Sequence, residues 1–266
     1  MTTSVDAKIA VFAKSLKLPS VRASHAEVAR SAEKAGWSFA DYLHHLLEVE
    51  IDDRRRRRVE RNLRRSGLPH DKTLATLDTA RLPPTVAKTL PTLCNGGFID
   101  RAENVLAFGN PGTGKSHLAS AIGHELVQKG YQVLFTPTFR LVHQLLAAKR
   151  DLALDRLLAR LDRNDVVVLD DIGYVQQDRD EMEVLFTFLS ERYERRSVVL
   201  TSNLVFSQWD RIFKDPMTTA AAIDRLVHHS TILELTGKSF RKETAKAKNT
   251  GRRKTQAALV SKQETS

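Results

Sequence analysis

The sequence predicts an α/β fold in which helices flank a parallel sheet, preceded by a small all-helical N-terminal domain. From residue 105 onward, short continuous apolar runs alternate with segments of helical periodicity. That alternation is typical of parallel strands whose two faces are both covered by helices. A glycine-rich turn joins the first apolar run to the first helical segment of this region. Residues 1–66, in contrast, have helical periodicity and few helix breakers.

The N-terminal helical domain is predicted to cover residues 1–66. Apolar side chains recur there every few residues, among them Trp37, Tyr42, Leu46 and Ile51. Ser38 can cap a helix that begins at Phe39, and a Ser-Gly-Leu-Pro segment from Ser66 stops it. We expect residues 67–104, which contain several prolines and glycines, to form a linker with one short helix.

The core is predicted to cover residues 105–241. Its strands are expected at 105–108, 132–136, 166–169, 198–201 and 232–235, and its helices at 115–129, within 139–162, at 180–195 and around 220–228. Residues 242–266 are basic and polar, with too few apolar side chains to fold alone. We therefore predict a disordered basic tail.

Composition limits the class of protein. The chain has 266 residues, 41% of them hydrophobic, and can bury a substantial core. Its formal net charge of +10 favours a polyanionic partner, first of all nucleic acid. The longest apolar runs are far too short to span a bilayer, and the N-terminus lacks the apolar segment of a signal peptide, so we expect a cytoplasmic protein without membrane association. Cys94 is the only cysteine, which excludes an intramolecular disulfide and a cysteine-based zinc site.

The glycine-rich turn predicts a nucleoside triphosphate site. It consists of Gly109, Asn110, Pro111, Gly112, Thr113, Gly114, Lys115 and Ser116. The glycines permit the positive φ angles and close backbone approach that a cradle of N–H donors around phosphates requires. In this pattern Lys115, which we expect to be exposed, reaches the β- and γ-phosphates, and the Ser116 hydroxyl ligates Mg²⁺.

Two acids follow the third predicted strand. A buried strand that ends in an acid delivers a carboxylate to the carboxyl edge of the sheet, and Asp170 is therefore the candidate Mg²⁺ ligand. Asp171 points differently and could polarise the attacking water as a general base. A solvated strand end would give the same pattern, but the position about 55 residues after the glycine-rich turn favours a metal site.

Two further residues are candidates for contact with the nucleotide. Asn203 follows the next strand and would arrive at the same edge as a phosphate sensor, although an Asn there is also typical of a turn or a helix cap. Arg225 lies in a helical stretch and could stabilise transition-state charge on the nucleotide of a neighbouring subunit. The alternative for Arg225 is a surface salt bridge, and Arg241 is the second candidate for the phosphate-facing role.

An arginine-rich segment at residues 54–65 is the candidate DNA contact. Arg54, Arg58, Arg61 and Arg65 align as one stripe on a helix, which suits phosphate binding without reading of bases. Only Asp52, Asp53 and Glu60 are counted as acids near enough to neutralise its eight arginines, and a solvated helix is the alternative. The pairs His44-His45 and His228-His229 are expected to be structural, because adjacent histidines point apart on a helix.

Several motifs together resemble one protein family. They are the glycine-rich turn, Asp170-Asp171-Ile-Gly-Tyr174, Ser190-Glu-Arg-Tyr193-Glu, Thr201-Ser-Asn203, Trp209, Asp224-Arg-Leu-Val-His228-His229 and Leu235-Thr-Gly-Lys-Ser239-Phe-Arg241. With them the chain resembles the IstB-like helper ATPases of bacterial insertion sequences, which are similar to DnaC-type helicase loaders and belong with the DnaA-like AAA+ proteins. The resemblance spans nearly the whole chain.

The resemblance implies an AAA+ P-loop NTPase core that uses ATP and Mg²⁺. It implies a homo-oligomer that assembles on duplex DNA with ATP, acts beside a partner transposase, uses ATP hydrolysis as a switch and receives Arg225 in trans. Two residues depart from the usual pattern: Ser116 stands where Thr is common, and Asp171 stands where ring-forming ATPases usually have Glu. A replicative helicase loader would share these core motifs, and a DNA-binding scaffold without useful turnover is the non-enzyme alternative.

Overall fold

The computed structural model describes residues 3–174, 179–209 and 216–237. It divides into two compact units, the first ending at Arg61 and the second beginning at Asn62. The predicted tail at 242–266 and the candidate Arg241 lie outside the described residues. No helix in the described ranges is both long and apolar enough to cross a membrane.

The first unit is helical. It contains α1 (Thr3–Ser15), α2 (Pro19–Ala35) and the part of α3 (Phe39–Ser66) that ends at Arg61. The predicted cap at Ser38 is confirmed, because the Asp41 N–H donates to Ser38 Oγ at 3.1 Å and Ser38 Oγ donates to the Asp41 carboxylate at 2.6 Å. Such reciprocal bonds satisfy groups that a helix N-terminus leaves open, and those from Ser38 lower the pKa of Asp41.

A buried carboxylate joins α2 to α3 within this unit. Glu50 is 2% exposed and accepts hydrogen bonds from the Ser20 N–H at 2.8 Å and from Arg54 Nε at 2.8 Å. Burial alone would raise the pKa of Glu50, but these donors hold it below its usual value. Glu50 is therefore ionised at neutral pH, and Arg54 is its charge partner.

The second unit contains the end of α3, seven further helices and five strands among the described residues. They are α4 (Pro84–Asn95), α5 (Gly97–Asp100), β1 (Asn104–Gly109), α6 (Lys115–Gln128), β2 (Val133–Pro137), α7 (Thr138–Arg150), α8 (Leu154–Leu161), β3 (Val166–Asp170), α9 (Arg179–Arg192), β4 (Ser197–Ser202), α10 (Pro216–Val227) and β5 (Ser230–Leu235). Single turns of 3₁₀ helix occupy Thr79–Arg81, Ile172–Tyr174 and Phe206–Gln208.

The five strands form one parallel sheet in the order β2-β3-β4-β1-β5. Side chains of β3 and β4 are buried almost throughout, as the continuous apolar runs predicted. Helix α6 packs on β1, β2, β3 and β4, while residues of α7, α8, α9 and α10 join the main apolar core. The predicted α/β class, a parallel sheet flanked by helices after a helical N-terminal region, is confirmed.

Residues 67–104, which the sequence suggested to be a linker, belong to the second unit. Val86, Leu90 and Leu93 of α4 are each at most 5% exposed, and α4 packs on α6 and β5. Pro84 is compatible with helix because it occupies the first turn of α4, where no N–H partner is needed, whereas Pro91 lies inside the helix. Proline content therefore marked the start of a packed helix in this case.

Arg192 fixes the amino ends of two central strands. Its guanidinium is 2% exposed and donates to the carbonyl oxygens of Leu161, Asn164 and Ser197 at 3.0 to 3.3 Å. These carbonyls come from the end of α8, the turn before β3 and the first residue of β4. Burial lowers the pKa of Arg192 to about 10, which still leaves the side chain charged at neutral pH.

Candidate nucleotide site

The glycine-rich loop connects β1 to the N-terminus of α6. Gly109, Gly112 and Gly114 have φ angles of 155°, 84° and 96°, in the region that favours glycine. The first turn of α6 closes when the Leu118 N–H donates to the Gly114 carbonyl at 2.8 Å. The loop thus brings backbone N–H groups and the positive end of a helix dipole to one place, which is the arrangement that binds phosphate.

Lys115 lies inside this loop. The expectation that it is exposed is wrong, because Lys115 is 8% exposed and its Nζ donates to the carbonyl oxygens of Gly109 at 2.7 Å and Asn110 at 3.0 Å. A buried ammonium requires acceptors, and the loop carbonyls provide them. Lys115 therefore stabilises the loop through its bonds to two loop carbonyls and places a positive charge at the predicted phosphate site.

One hydroxyl organises the ends of β3 and β4. Thr201 is 1% exposed, and its Oγ1 donates to Asp170 Oδ1 at 2.7 Å and accepts the Asp171 N–H at 2.8 Å. Asp171 has a φ of 59°, which a non-glycine residue adopts only when its surroundings hold it there. Thr201 therefore fixes the position of the Asp170 carboxylate and of the backbone that carries the Asp171 carboxylate.

Sequence analysis did not identify Thr201 as a site residue. It occurs in the motif with Asn203, but nothing in the local pattern relates it to residues 30 positions earlier. The relation depends on β4 being the direct neighbour of β3 in the sheet.

Asn203 lies against the segment that follows the two acids. Its Oδ1 is buried and accepts no hydrogen bond from the described residues. A Cβ atom added at Gly173 would overlap this oxygen, so the absence of a side chain at Gly173 allows the close approach. A buried amide oxygen without a donor normally has a water or ligand partner.

A cavity of about 340 Å³ brings these groups together. Its walls include Gly112, Lys115 and Ser116 of the loop and Asp171, Thr201 and Asn203 from the strand ends. Asp170 is half-buried and is not among the described residues that line the cavity. Of the candidates, the structure thus places Lys115, Ser116, Asp171 and Asn203 around one space, with Asp170 bonded to Thr201 beside it.

The segment before α4 forms another wall, which the sequence analysis did not predict. Lys72, Thr76, Leu77 and Asp78 line the same cavity. His117, the residue after Ser116, connects this wall to α6, since its Nε2 lies 3.1 Å from both the Thr73 carbonyl oxygen and Thr76 Oγ1. Residues 72–78 contain no regular helix or strand, so periodicity could not reveal them.

The donor set fits a magnesium nucleotide. Lys115 and the loop N–H groups complement phosphate charge. The Ser116 hydroxyl and the aspartate carboxylates are the oxygen ligands that Mg²⁺ prefers. The unpartnered Asn203 oxygen adds a polar group suited to a water beside the phosphates. The arrangement can therefore bind a nucleoside triphosphate and place a carboxylate near its terminal phosphate.

Arg225 lies away from this cavity in the described structure. Its guanidinium donates to Ser190 Oγ and lies 4.6 Å from the centroid of the Phe186 ring, both on α9. The side chain is half-buried and is not among the described residues that line the cavity.

The arginine stripe is exposed, but its first member has a structural partner. The count of nearby acids was wrong, because it left out Glu50, which lies one turn before Arg54 and binds it. Arg54 also donates to the Lys17 carbonyl oxygen. Arg58, Arg61 and Arg65 have no acid within ion-pair distance in the part of the chain that the structure describes, and their contact with DNA stays a prediction.

Comparisons with known proteins agree with this geometry. The profile of the family described as "IstB-like ATP binding protein" matches residues 11–248. An insertion sequence ATP-binding protein of Sinorhizobium fredii is 41% identical over 241 residues, which cover 90% of this chain and 81% of the relative. The ATP-binding protein of insertion sequence IS21 from Pseudomonas aeruginosa is 40% identical over 81% of this chain and 82% of its own length.

Solved structures share the fold at low identity. DnaI matches 64% of this chain and 96% of its own with a TM-score of 0.53 and 20% identity. AMPPCP-bound DnaA from Aquifex aeolicus matches 64% of this chain and 51% of its own with a TM-score of 0.52 and 16% identity. These matches show that the chain shares its fold with DnaI and DnaA.

We predict that Lys115→Met weakens nucleotide binding at least about tenfold, because one charge-assisted contact to phosphate is worth about 1.5 to 3 kcal/mol. Titration with a fluorescent ATP analogue measures the affinity. Since Lys115 also bonds two loop carbonyls, the titration is done at a temperature at which circular dichroism shows both proteins folded.

Lys129→Met is the matched control, because Lys129 is exposed at the other end of α6 and should leave the affinity unchanged. A folded Lys115→Met protein with the parent's affinity would contradict the assignment of the loop to phosphate binding.

Proposed function

The chain belongs to the family of IstB-like ATP-binding proteins, and on that premise we propose that it is an ATP-dependent DNA-binding AAA+ helper of transposition. It assembles with copies of itself on duplex DNA in the cytoplasm, assists or targets a partner transposase, and uses ATP hydrolysis as a switch. The observation that carries the proposal is the convergence of Lys115, Asp171 and Asn203 on one cavity, in a chain whose relatives are named for insertion sequences.

In the proposed site, Lys115 and the loop N–H groups hold the β- and γ-phosphates. Ser116 and Asp170 hold Mg²⁺, which when bound neutralises phosphate charge and orients the leaving oxygens. Thr201 occupies Asp170 Oδ1, so we assign the other carboxylate oxygen to the metal. Binding through that oxygen would leave the bond to Thr201 intact.

Asp171 is the proposed general base and takes the proton of the attacking water. Thr201 positions it, because the Asp171 N–H bonds the same hydroxyl that binds Asp170. Asn203 is proposed to orient the water or the γ-phosphate with its buried amide. An aspartate is one methylene shorter than the usual glutamate. The distance from its carboxylate to the attacking water therefore depends strongly on the position of the Asp171 backbone.

Arg225 is proposed to act on the nucleotide of a neighbouring copy. Its contacts with Ser190 and Phe186 are a hydrogen bond and a cation–π contact at a half-buried position. Such contacts are weak enough to be exchanged for a phosphate when copies assemble.

The DNA contact is proposed to include Arg58, Arg61 and Arg65. They are exposed, have no acidic partner among the described residues, and belong to a chain of net charge +10. Contacts with backbone phosphates provide affinity without sequence preference. That behaviour suits a helper that assembles on many target sequences.

A protein partner is supported by apolar side chains at the surface of the first unit. Phe39, Leu43, Leu47 and Ile51 recur every four residues on α3 and are 95%, 56%, 45% and 64% exposed. An exposed apolar stripe is characteristic of a protein interaction site. We propose the partner transposase as its occupant.

Copurification distinguishes the proposed function from the alternative of a helicase loader. The full-length chain, expressed in a native host, should retain a transposase encoded beside it. Retention of a replicative helicase instead would favour the loader. Phosphate release without and with duplex DNA tests the third alternative, since a scaffold would release none.

We predict that Asp171→Asn keeps nucleotide binding but lowers ATP turnover by about 10²-fold or more, because general base catalysis contributes about that much. Thr201→Val should also lower turnover, because loss of the hydroxyl releases Asp170 and the Asp171 backbone from their positions. Thr201→Ser retains the hydroxyl and should keep most of the parent's turnover. The measurement is phosphate release with saturating ATP over a series of Mg²⁺ concentrations.

The Mg²⁺ series distinguishes a loss of metal binding from a loss of the general base. Thr201→Val should require more Mg²⁺ for half-maximal rate, and Asp171→Asn should not. Parental turnover in Asp171→Asn would remove Asp171 as the base, and equal turnover of Thr201→Val and Thr201→Ser would remove the positioning role of the hydroxyl.

We predict that mixing Arg225→Ala with Lys115→Met protomers restores part of the ATP turnover that each lacks alone. In a mixed assembly some junctions pair an intact loop with an intact arginine from the next copy. Phosphate release is measured over a range of mixing ratios, with co-assembly verified by light scattering. A mixture that co-assembles and stays inactive would exclude a trans role for Arg225.

We predict that replacing Arg58, Arg61 and Arg65 with Gln lowers the slope of log affinity against log salt by up to about 2.7, or about 0.9 for each phosphate contact. Duplex binding with ATP across a salt series measures the slope, and preference between DNA sequences should barely change.

Arg54→Gln is the control, because Arg54 already neutralises Glu50 and should change the slope less. An unchanged slope in the triple variant would show that these arginines do not contact DNA.

A further inference from the structure

Three side chains with metal-binding groups converge outside the nucleotide site. One ligand atom from each of Glu194, His228 and His229 lies within 4.8 Å of the other two, and all three residues are exposed. His228 and His229 directly precede β5, so they lie at the amino end of a strand. The glycine-rich loop follows the carboxyl end of the parallel neighbour β1, which makes the cluster a separate place on the second unit.

The expectation that these histidines point apart is wrong, and the reason is local. Helix α10 ends at Val227, one residue earlier than the sequence suggested, so His228 and His229 lie in a turn. Their ring centroids are 4.2 Å apart with the planes at 63°. Glu194 follows the end of α9 with a φ of 57° and arrives from a distant part of the sequence.

Neighbouring groups hold the cluster in place. The Tyr193 hydroxyl lies 3.2 Å from His228 Nδ1 and orients that ring. Metal-binding histidines are usually oriented in this way, with the second ring nitrogen donating to a neighbouring oxygen. The Asn104 N–H donates to the His229 carbonyl oxygen at 2.7 Å and fixes the turn from β1.

The charges around the cluster are mixed. Arg101 above all, and His229 to a smaller extent, lower the pKa of Glu103, so this carboxylate lies near His229. Desolvation, and after it Glu194 and Asp224, raise the pKa of the neighbouring Tyr193, while the charge of Arg225 lowers it. Glu103 is already paired with Arg101, so Glu194 is the carboxylate that would offset the charge of a bound cation.

We propose that Glu194, His228 and His229 bind one divalent transition-metal ion of the zinc class. Two imidazoles and one carboxylate are donors that zinc accepts in tetrahedral geometry, with water as the fourth ligand. Mg²⁺ prefers oxygen ligands alone, so the ion of the nucleotide site would not compete well here. The metal would join the end of α9 to the turn between α10 and β5.

The test is competition for Zn²⁺ between a chromophoric chelator and the full-length chain, purified without a histidine tag. We expect one equivalent to bind at least about tenfold more tightly to the parent than to the double variant His228→Ala, His229→Ala. The matched control is His44→Ala, His45→Ala, which removes the other adjacent pair and should retain the site. Glu194→Gln should weaken binding, and Tyr193→Phe should weaken it less.

A further measurement does not depend on the histidine variants folding. Co²⁺ added to the parent should give the visible absorption of a four-coordinate ion. Equal Zn²⁺ affinity in the parent and both double variants would overturn the proposal. So would a parent that shows no such Co²⁺ spectrum, because the cluster would then be a hydrogen-bonded network that binds protons alone.

Discussion

The position of β4 between β3 and β1 is the constraint on which the nucleotide site depends. The carboxyl ends of parallel strands meet at one edge, so this order puts the end of β4 beside both the acids and the glycine-rich loop. In register, Thr201 pairs with Ala107 of β1, two residues before Gly109. An order in which β4 did not lie between β3 and β1 would separate Thr201 from Asp170 or Asn203 from the loop.

Both ends of β3 and β4 are fixed by buried polar groups, and the two ends differ in chemistry. At the amino ends, Arg192 donates to the backbone carbonyls of Leu161, Asn164, Asp165 and Ser197. At the carboxyl ends, the Thr201 hydroxyl binds one acid and the backbone of the next. Each buried polar group left without its partner would cost about 1 to 3 kcal/mol, so the bonds that align the site also stabilise the sheet.

The sequence predicted the parts of the nucleotide site whose functional residues are contiguous in the chain. The loop from Gly109 to Ser116 and the strand ending in Asp170 and Asp171 have local patterns, and the structure has both where they were predicted. The partnership of Thr201 with the acids could not be predicted, because hydrophobic runs do not encode strand order. The prediction for His228 was wrong for a local reason. The predicted helix ran one residue too far, so His228 and His229 were expected to point apart, whereas the helix ends at Val227 and their rings are in contact.

Arg225 can act on the nucleotide of another copy only if it gives up its contacts with Phe186 and Ser190. Leaving Phe186 and Ser190 costs up to about 2 kcal/mol for a half-buried cation–π contact and about 1 kcal/mol for a hydrogen bond. An arginine supplied to a transferring phosphoryl group contributes about 10³- to 10⁵-fold in rate, or about 4 to 7 kcal/mol. The gain exceeds the cost, so these contacts can hold Arg225 in a single copy without preventing the proposed trans role. A metal at Glu194, His228 and His229 would raise the cost, since it would tie the end of α10 to α9.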